Sequence, residues 1–269
     1  MALGAGEIVH VRSADGSMIG FERFGSGPPM VLVHGGTGDR TRWAPVSGAL
    51  AERFTVHAMD RRGRGISADE ADDYAIEREG EDVASVVEAA GRDVYLVGHS
   101  YGAICCLEAA PFHSAVGRMV LYEPPIPTPG HRVFPPGAQE RLRAAAESGD
   151  AEAILQVFFS EVIELPQERI DAMKATPMWR ARVAAAPTLV REGDAVEAYR
   201  LSKDLSSIAV PVRLFLGTES PHYYRPAVEA VAQRLPNADV VAMTNQAHLA
   251  IDQDPGQFVA AVVAFAGSP

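Results

Sequence analysis

The sequence predicts a doubly wound, mostly parallel α/β sheet with a helical cap inserted into it. Short apolar runs alternate with helix-length segments along most of the chain, which is typical of a sheet covered by helices on both faces. The stretch 124–206 breaks this alternation, because it contains helical segments and no strand-like run. It is too long to be a plain crossover connection, so we expect it to form a lid.

The first predicted element is an antiparallel hairpin, in which Ile8–Val11 and Ile19–Phe24 flank the turn sequence SADGS. Further apolar runs follow at intervals: Met30–His34, Phe54–Met59, Val94–Gly98, Met119–Tyr122, Val212–Leu216 and Ala238–Met243. Because they lack polar alternation, they are expected to be strands buried on both faces. Helical segments such as EREGEDVASVVEAAGR and PAVEAVAQRLP lie between them.

The strand-free stretch divides the chain into three predicted parts. Residues 1–123 form the first part of the core, 124–206 the helical cap, and 207–269 the second part of the core. The cap begins with PPIPTPGHRVFPPG, which cannot form a regular element because prolines lack the backbone donor. Helical segments then continue to the end of the cap.

Composition and charge exclude several classes of protein. Hydrophobic residues make up 47% of the 269 residues and charged residues 22%, as in ordinary globular proteins. The net charge of −11 argues against binding to nucleic acid or to an anionic membrane. No apolar run is long enough to span a membrane, and the segment MALGAGEIVH has no secretory-signal pattern.

The two cysteines, Cys105 and Cys106, are adjacent and therefore make a poor disulfide pair. A reducing, cytoplasmic location fits this usage, and no zinc-ligand spacing accompanies them. We expect both thiols to be buried as small hydrophobic groups. The expected partner is a small-molecule substrate, with no metal and no cofactor, and the sequence leaves the oligomeric state open.

The strongest motif is Gly98-His99-Ser100-Tyr101-Gly102, which lies between a predicted strand and a helical run. This is the G-x-S-x-G pattern that presents a serine nucleophile on a strained strand-to-helix turn. The helix behind Ser100 supplies backbone N–H groups and the positive end of a dipole, which favour a developing oxyanion.

A glycine-rich loop, His34-Gly35-Gly36-Thr37-Gly38, follows an earlier predicted strand. We expect the N–H groups of Gly36 and Tyr101 to form an oxyanion hole. A serine also needs a base, and His248 is the histidine that follows the last predicted strand, as the order serine, acid, histidine requires.

With these motifs, the chain resembles the α/β-hydrolase superfamily over nearly its whole length. The segment Asp60–Ser67, DRRGRGIS, is similar to the D-x-x-G-x-G-x-S turn common in members that carry a cap. The resemblance implies the α/β-hydrolase fold and a cap-bearing serine hydrolase. The fold hosts many chemistries, so it does not identify the substrate.

The acid of the triad departs from the commonest family pattern, which places an aspartate in G-x-x-D after the strand that follows the cap. Here Ser220 stands at that position, after Gly217-Thr218-Glu219. Two acids remain, Glu219 and Glu123. The segment LYEPP around Glu123 resembles branches that carry the acid after the strand that follows the nucleophile helix, including some haloalkane dehalogenases and fungal lactonases. We therefore expect Glu123, with Glu219 as the alternative.

A serine nucleophile predicts acyl transfer, so the expected substrate is a small, mostly apolar ester or lactone that forms an acyl-enzyme. The cap shows no obvious cationic cluster, which favours an apolar or uncharged substrate. Trp179, Phe134 and Met178 are the candidate substrate contacts in the cap, and the TPMW segment is similar to a tryptophan-bearing cap helix of the lactonase branch.

Other functions remain open on the same residues. A carbon–carbon bond hydrolase, a cofactor-free peroxidase-like enzyme or a lyase could use Ser100 and His248. A receptor that keeps the fold and binds a ligand with little turnover is a further alternative, because the usual aspartate is missing.

Overall fold

The computed structural model describes residues 6–68, 74–112, 114–201 and 205–267. Eight strands form one sheet in the order β1-β2-β4-β3-β5-β6-β7-β8, and helices cover both of its faces. The predicted fold class is confirmed. The strands are β1 (Glu7–Arg12), β2 (Met18–Gly25), β3 (Pro29–Val33), β4 (Thr55–Met59), β5 (Val94–His99), β6 (Val116–Tyr122), β7 (Val212–Gly217) and β8 (Ala238–Met243).

The first two strands form the expected antiparallel hairpin, and β2 also runs antiparallel to β4. All later neighbours, from β4 through β3, β5, β6 and β7 to β8, pair in parallel. The carboxyl ends of the parallel strands therefore meet at one edge of the sheet, where ligands bind in open α/β folds.

The central strands are apolar on both faces because both faces are covered. In β3, Val31 and Val33 pack in the core on one side of the sheet, with Leu96 and Ile104. Met30 and Leu32 point to the other side, and they join a second core with Trp43, Val97 and Phe258. The outer strand β8 differs from the expectation of full burial, since it lies at the edge of the sheet and leaves Val240 43% exposed.

From β3 onward the helices alternate with the strands, except between β6 and β7, where five helices follow one another in the described part of the chain. A short π-helical turn, Phe158–Val162, continues α5. The helices are α1 (Ala44–Ala51), α2 (Ile76–Ala90), α3 (Tyr101–Ala109), α4 (Ala138–Glu147), α5 (Ala151–Val157), α6 (Gln167–Lys174), α7 (Trp179–Ala185), α8 (Thr188–Ala198), α9 (Tyr224–Ala232), α10 (Ala250–Gln253) and α11 (Pro255–Ala266).

Helices α4 to α8 lie in the stretch 124–206 that the sequence predicts to be a cap, and we call this stretch the cap. Their apolar residues, such as Leu142, Leu155 and Ile170, belong to the same core as the sheet residues around α3. The division of the chain at 123/124 and 206/207 stays a prediction.

Two further expectations concern single features. Cys105 and Cys106 are free and fully buried in α3, and burial raises the pKa of both thiols. In the part of the chain that the structure describes, no helix has the length and apolar character needed to cross a bilayer.

Candidate active site

Ser100 lies on the sharp turn between β5 and α3. Its φ of 56° is in the left-handed region, a strained conformation that clusters at functional sites. Glycine is required beside it, because a Cβ on Gly102 would lie 2.4 Å from the carbonyl oxygen of Val33. A Cβ on Gly98 would likewise lie 2.7 Å from the Cα of Ala103. The close packing of strand, turn and helix therefore presents Ser100 at the sheet edge.

The glycine loop after β3 is held by its carbonyl groups. His34 Nδ1 donates to the Gly35 oxygen at 2.8 Å, while its Nε2 accepts from the backbone N–H of Arg61 at 3.1 Å. Arg61 Nη1 also donates to the Gly35 oxygen, at 3.1 Å. In a trans peptide the C=O and the following N–H point in opposite directions, so the N–H of Gly36 points away from these donors. Gly36 and Tyr101 line one cavity together with Ser100.

The arginines of the DRRGRGIS segment are held by buried carboxylates. Arg61 donates to both oxygens of Glu79, at 2.7 and 2.6 Å, and to Glu192 of the cap at 2.6 Å. Arg64 donates to Glu192 at 2.5 Å and to the carbonyl oxygen of Gly36 at 2.8 Å. Burial alone would raise the pKa of Glu79, but the charge and hydrogen bonds of Arg61 outweigh it and lower the pKa to about 2. This network fixes the glycine loop to both the core and the cap.

The ring of His248 meets Glu123 at the end of β6. Its Nδ1 lies 2.7 Å from Oε2 of Glu123, whose side chain is fully buried. The other oxygen, Oε1, accepts from the N–H of Gly217 at 2.7 Å and from the hydroxyl of Ser220 at 2.5 Å. Ser220, at the position where an aspartate is usual, thus donates a hydrogen bond that holds the Glu123 carboxylate in place. Glu219 is exposed.

The loop that carries His248 is pinned through its carbonyl groups. His99 Nε2 donates to the oxygen of His248 at 2.9 Å, and the hydroxyl of Tyr122 donates to the oxygen of Ala247. The N–H of Glu219 donates to the oxygen of Gln246 at 2.9 Å. Because each bond reaches the loop from a different strand end, the ring of His248 has a fixed position.

Tyr224 of α9 packs against the face of the His248 ring. The two rings are stacked, with centroids 4.5 Å apart and planes inclined by 14°. The tyrosine hydroxyl lies 3.1 Å from His248 Nε2, the atom that a serine base would direct at Ser100. In this arrangement the hydroxyl of Tyr224 occupies a position next to the proton-accepting nitrogen.

Two adjoining cavities meet at Ser100, and Gly36, Phe158 and Ile163 also line both. We call the first the apolar lobe; its characteristic residues are Val133, Phe134, Val162, Leu189, Val196 and Tyr224. We call the second the arginine lobe; its characteristic residues are Thr37, Arg42, His99, Arg182, His248 and Leu249.

The three candidate substrate contacts in the cap fall in different places. Phe134 lines the apolar lobe. Met178 lines a neighbouring groove that shares Arg182 with the arginine lobe. Trp179 is not among the described residues that line either lobe; its indole packs against Phe159, with ring centroids 6.4 Å apart, and donates to Glu152. The structure therefore brings Phe134, but not Trp179, to the cavity around Ser100.

Sequence reasoning missed several residues of the site. Nothing in the local sequence marks Tyr224, Glu192, Arg42 or Arg182, because each reaches the site only through the packing of distant elements. The sequence shows no cationic cluster within the cap, but the structure forms one from distant residues. The arginine lobe combines Arg182 of the cap with Arg42 of the core. In the part of the chain that the structure describes, no group of acidic, histidine or cysteine side chains has metal-binding geometry.

Comparison with known proteins identifies the family of the chain. The sequence profile of the alpha/beta hydrolase family matches residues 30–262, so the chain belongs to this family and is a hydrolase. An alpha/beta hydrolase of known structure from Sphaerobacter thermophilus is 36% identical, with a TM-score of 0.82; the match covers 96% of this chain and 99% of that one.

Two curated relatives match along most of their length. N-formylmaleamate deformylase of Pseudomonas putida is 27% identical over 268 residues, which cover 96% of each chain. The 2-(acetamidomethylene)succinate hydrolase of Mesorhizobium japonicum is 26% identical over 265 residues, which cover 90% of this chain and 88% of that protein. The expected superfamily membership is confirmed.

The buried histidines give the protein a predictable sensitivity to acid. Burial lowers the pKa of His99 well below its usual 6.5, so only the unfolded chain takes up a proton there as the pH falls below that value. Between about pH 7.5 and about pH 5.5 this difference costs about 1.4 kcal/mol of stability. We expect His99→Gln, which keeps an N–H donor for the His248 carbonyl, to remove this share of the pH dependence.

The measurement is the free energy of urea unfolding at both pH values. The same substitution at the exposed His222 is the matched control and should keep the wild-type pH dependence. An unchanged pH dependence in His99→Gln would contradict a neutral, buried His99.

Proposed function

We propose that the protein is a serine hydrolase that cleaves a small carboxylic ester or lactone through an acyl-enzyme. The observation that carries the proposal is the contact of His248 Nδ1 with the buried Glu123 at 2.7 Å, in a ring that lines the same cavity as Ser100. A buried carboxylate orients the imidazole and stabilises the imidazolium that forms when the serine is deprotonated. Ser100, His248 and Glu123 are the proposed catalytic residues.

The proposed reaction begins when Ser100 Oγ attacks the carbonyl carbon and His248 Nε2 takes its proton. The N–H groups of Gly36 and Tyr101 stabilise the negative oxygen of the tetrahedral intermediate. His248 then donates the proton to the leaving alcohol, and the acyl group stays on Ser100. Water, deprotonated by the same nitrogen, attacks the acyl carbon. The bond to Ser100 Oγ then breaks, His248 returns the proton to Oγ, and the carboxylic acid is released.

Tyr224 must yield during this cycle, because its hydroxyl lies next to the nitrogen that receives the proton. A small displacement of the tyrosine would free Nε2 for Ser100 while His248 Nδ1 keeps its contact with Glu123. The apolar lobe supports a mostly apolar group next to the reacting carbonyl, since valine, leucine and phenylalanine side chains line it.

A second candidate reaction is hydrolysis of an N-acyl compound. It is favoured by Glu192, whose Oε2 is buried without a hydrogen-bond partner in the described structure and lines the apolar lobe beside Ser100. A buried acceptor of this kind fits the N–H of an amide. The names of the two curated relatives also contain a formyl and an acetamido group.

Replacement of Glu123 tests the proposed acid. We expect Glu123→Gln to lower kcat for ester hydrolysis by about 10³–10⁴-fold, because an amide cannot stabilise the imidazolium. Glu219→Gln should stay within about threefold of wild type, as is usual for an exposed substitution. Steady-state kinetics with para-nitrophenyl butyrate measures both, and the opposite ranking would assign the acid to Glu219.

Covalent labelling tests the nucleophile and separates an enzyme from a receptor. A fluorophosphonate probe should react rapidly with wild type at Ser100, which peptide mass mapping would locate. His248→Ala should abolish the reaction, because the hydroxyl then has no base, and Ser100→Ala is the control for unspecific labelling. A folded wild-type protein that resists the probe would instead favour the receptor alternative.

A matched ester and amide distinguish the two candidate reactions. Para-nitrophenyl butyrate and para-nitrobutyranilide share an acyl group and release coloured products. If Glu192 accepts the amide N–H, the anilide should be hydrolysed with a KM no higher than that of the ester. Hydrolysis of the ester without detectable hydrolysis of the anilide would eliminate the second candidate and leave the first.

A further inference from the structure

We propose that Arg42 and Arg182 form a carboxylate-binding subsite beside Ser100, so that the substrate carries a carboxylate group near its reacting carbonyl. This inference rests on the proposed function and deepens it. It also replaces the sequence-based expectation of an uncharged substrate with that of a mostly apolar molecule that has one carboxylate and fills both lobes.

The two arginines reach the arginine lobe from different parts of the fold. Arg42 lies in the 3-10 turn Arg40–Trp43, directly before α1, and Arg182 lies on helix α7 of the cap. Each residue is only 3% exposed, and both line the cavity that Ser100 and His248 also line. A cationic pair is thus buried next to the reacting groups.

Neither guanidinium has all its donors satisfied. Arg182 Nη1 donates to the hydroxyl and carbonyl oxygens of Thr37, at 2.7 and 3.3 Å, and Nη2 contacts the sulfur of Met178 at 3.8 Å. Its Nε and the Nη2 of Arg42 are buried and have no hydrogen-bond partner within the described structure. Unpartnered buried donors are costly, and a bound carboxylate offers acceptors for them.

The charge of Arg182 is also poorly balanced. Among the described residues, no carboxylate lies within ion-pair distance of Arg182, whereas Arg42 pairs with Asp252 at 2.6 Å. Burial and the positive charge of Arg42 lower the pKa of Arg182 to about 10, against the opposing effects of Asp252 and Asp39. Arg182 therefore remains charged at neutral pH, and a carboxylate entering the lobe would supply the missing negative charge.

The other buried arginines near the site show that this protein normally pairs such groups. Arg61 pairs with Glu79 and Glu192, and Arg64 pairs with Glu192. Arg62 pairs with Asp82 at 2.7 Å and with Asp15 at 2.9 Å. Arg182 lacks such a partner and lines the cavity of the reacting serine. A purely structural link to Thr37 would need only a neutral donor, which glutamine could supply.

The test compares neutral and anionic esters that are otherwise matched. Mono-para-nitrophenyl succinate is paired with para-nitrophenyl butyrate, so that the carboxylate lies on the acyl side. Para-carboxyphenyl butyrate is paired with its methyl ester, so that the carboxylate lies on the leaving-group side. We expect wild type to prefer the anionic member of at least one pair in kcat/KM.

Substitution of Arg182 should remove this preference. Arg182→Gln should lower kcat/KM for the preferred anionic ester by about 10–100-fold more than for its neutral partner, since a charge-assisted hydrogen bond is lost. Arg182→Lys, which keeps the charge, should recover part of the difference. Arg180→Gln, an exposed position on the same helix, is the matched control and should keep the preference. Urea unfolding of each variant checks that the cap is intact.

Direct binding keeps this test separate from the proposed function. Glutarate should bind the catalytically inactive Ser100→Ala protein in calorimetry, and the additional Arg182→Gln substitution should abolish the binding. The subsite is overturned if glutarate does not bind, or if Arg182→Gln lowers kcat/KM by the same factor for the anionic and the neutral esters. Failure of wild type to hydrolyse any ester or to react with fluorophosphonate would instead overturn the proposed function, while glutarate binding would still decide on the subsite.

Discussion

The contact between Glu123 and His248 is the interaction on which the arrangement of the site depends. Glu123 has a φ of 49°, a left-handed conformation that is costly for a residue with a side chain. Its carboxylate joins the end of β7, through Gly217, to the loop of His248. A fully buried carboxylate needs such partners, because an unpaired charge in the interior is unfavourable. The strained backbone and the paired carboxylate thus fix the ring relative to the sheet edge.

A second network fixes the other half of the site. Arg61 and Arg64 hold the carbonyl groups of the glycine loop, and both reach Glu192 on helix α8 of the cap. Breaking one member of a buried network leaves its partner charged and unpaired, which costs several kcal/mol. The position of the cap is therefore coupled to the geometry of the proposed oxyanion hole. A displacement of α8 would therefore shift Gly36 through Arg64 and Glu192, even if no residue of α8 contacted the substrate.

The two lobes divide the surroundings of Ser100 by polarity. One lobe has mostly hydrocarbon walls, and the other presents two buried arginines. Buried cations are normally paired, as Arg61, Arg62 and Arg64 are here. Arg182 differs from these arginines because it has no carboxylate partner among the described residues. It also lines the cavity of Ser100, so its charge bears on the substrate more directly than the net charge of the whole chain.

The sequence by itself determined the fold class and the strand positions, because local apolar runs encode them. It also determined the turn at Ser100, the glycine loop and the late His248, because these are marked by glycines that tight turns require and by their order along the chain. It narrowed the acid to Glu123 or Glu219. Only the parallel pairing of β6 with β7 brought Glu123 to Gly217 and Ser220. The tertiary structure also buried Trp179 against Phe159 and brought Arg42 and Arg182 to the same cavity. Such pairings depend on how distant elements pack, and no local pattern of residues encodes that packing.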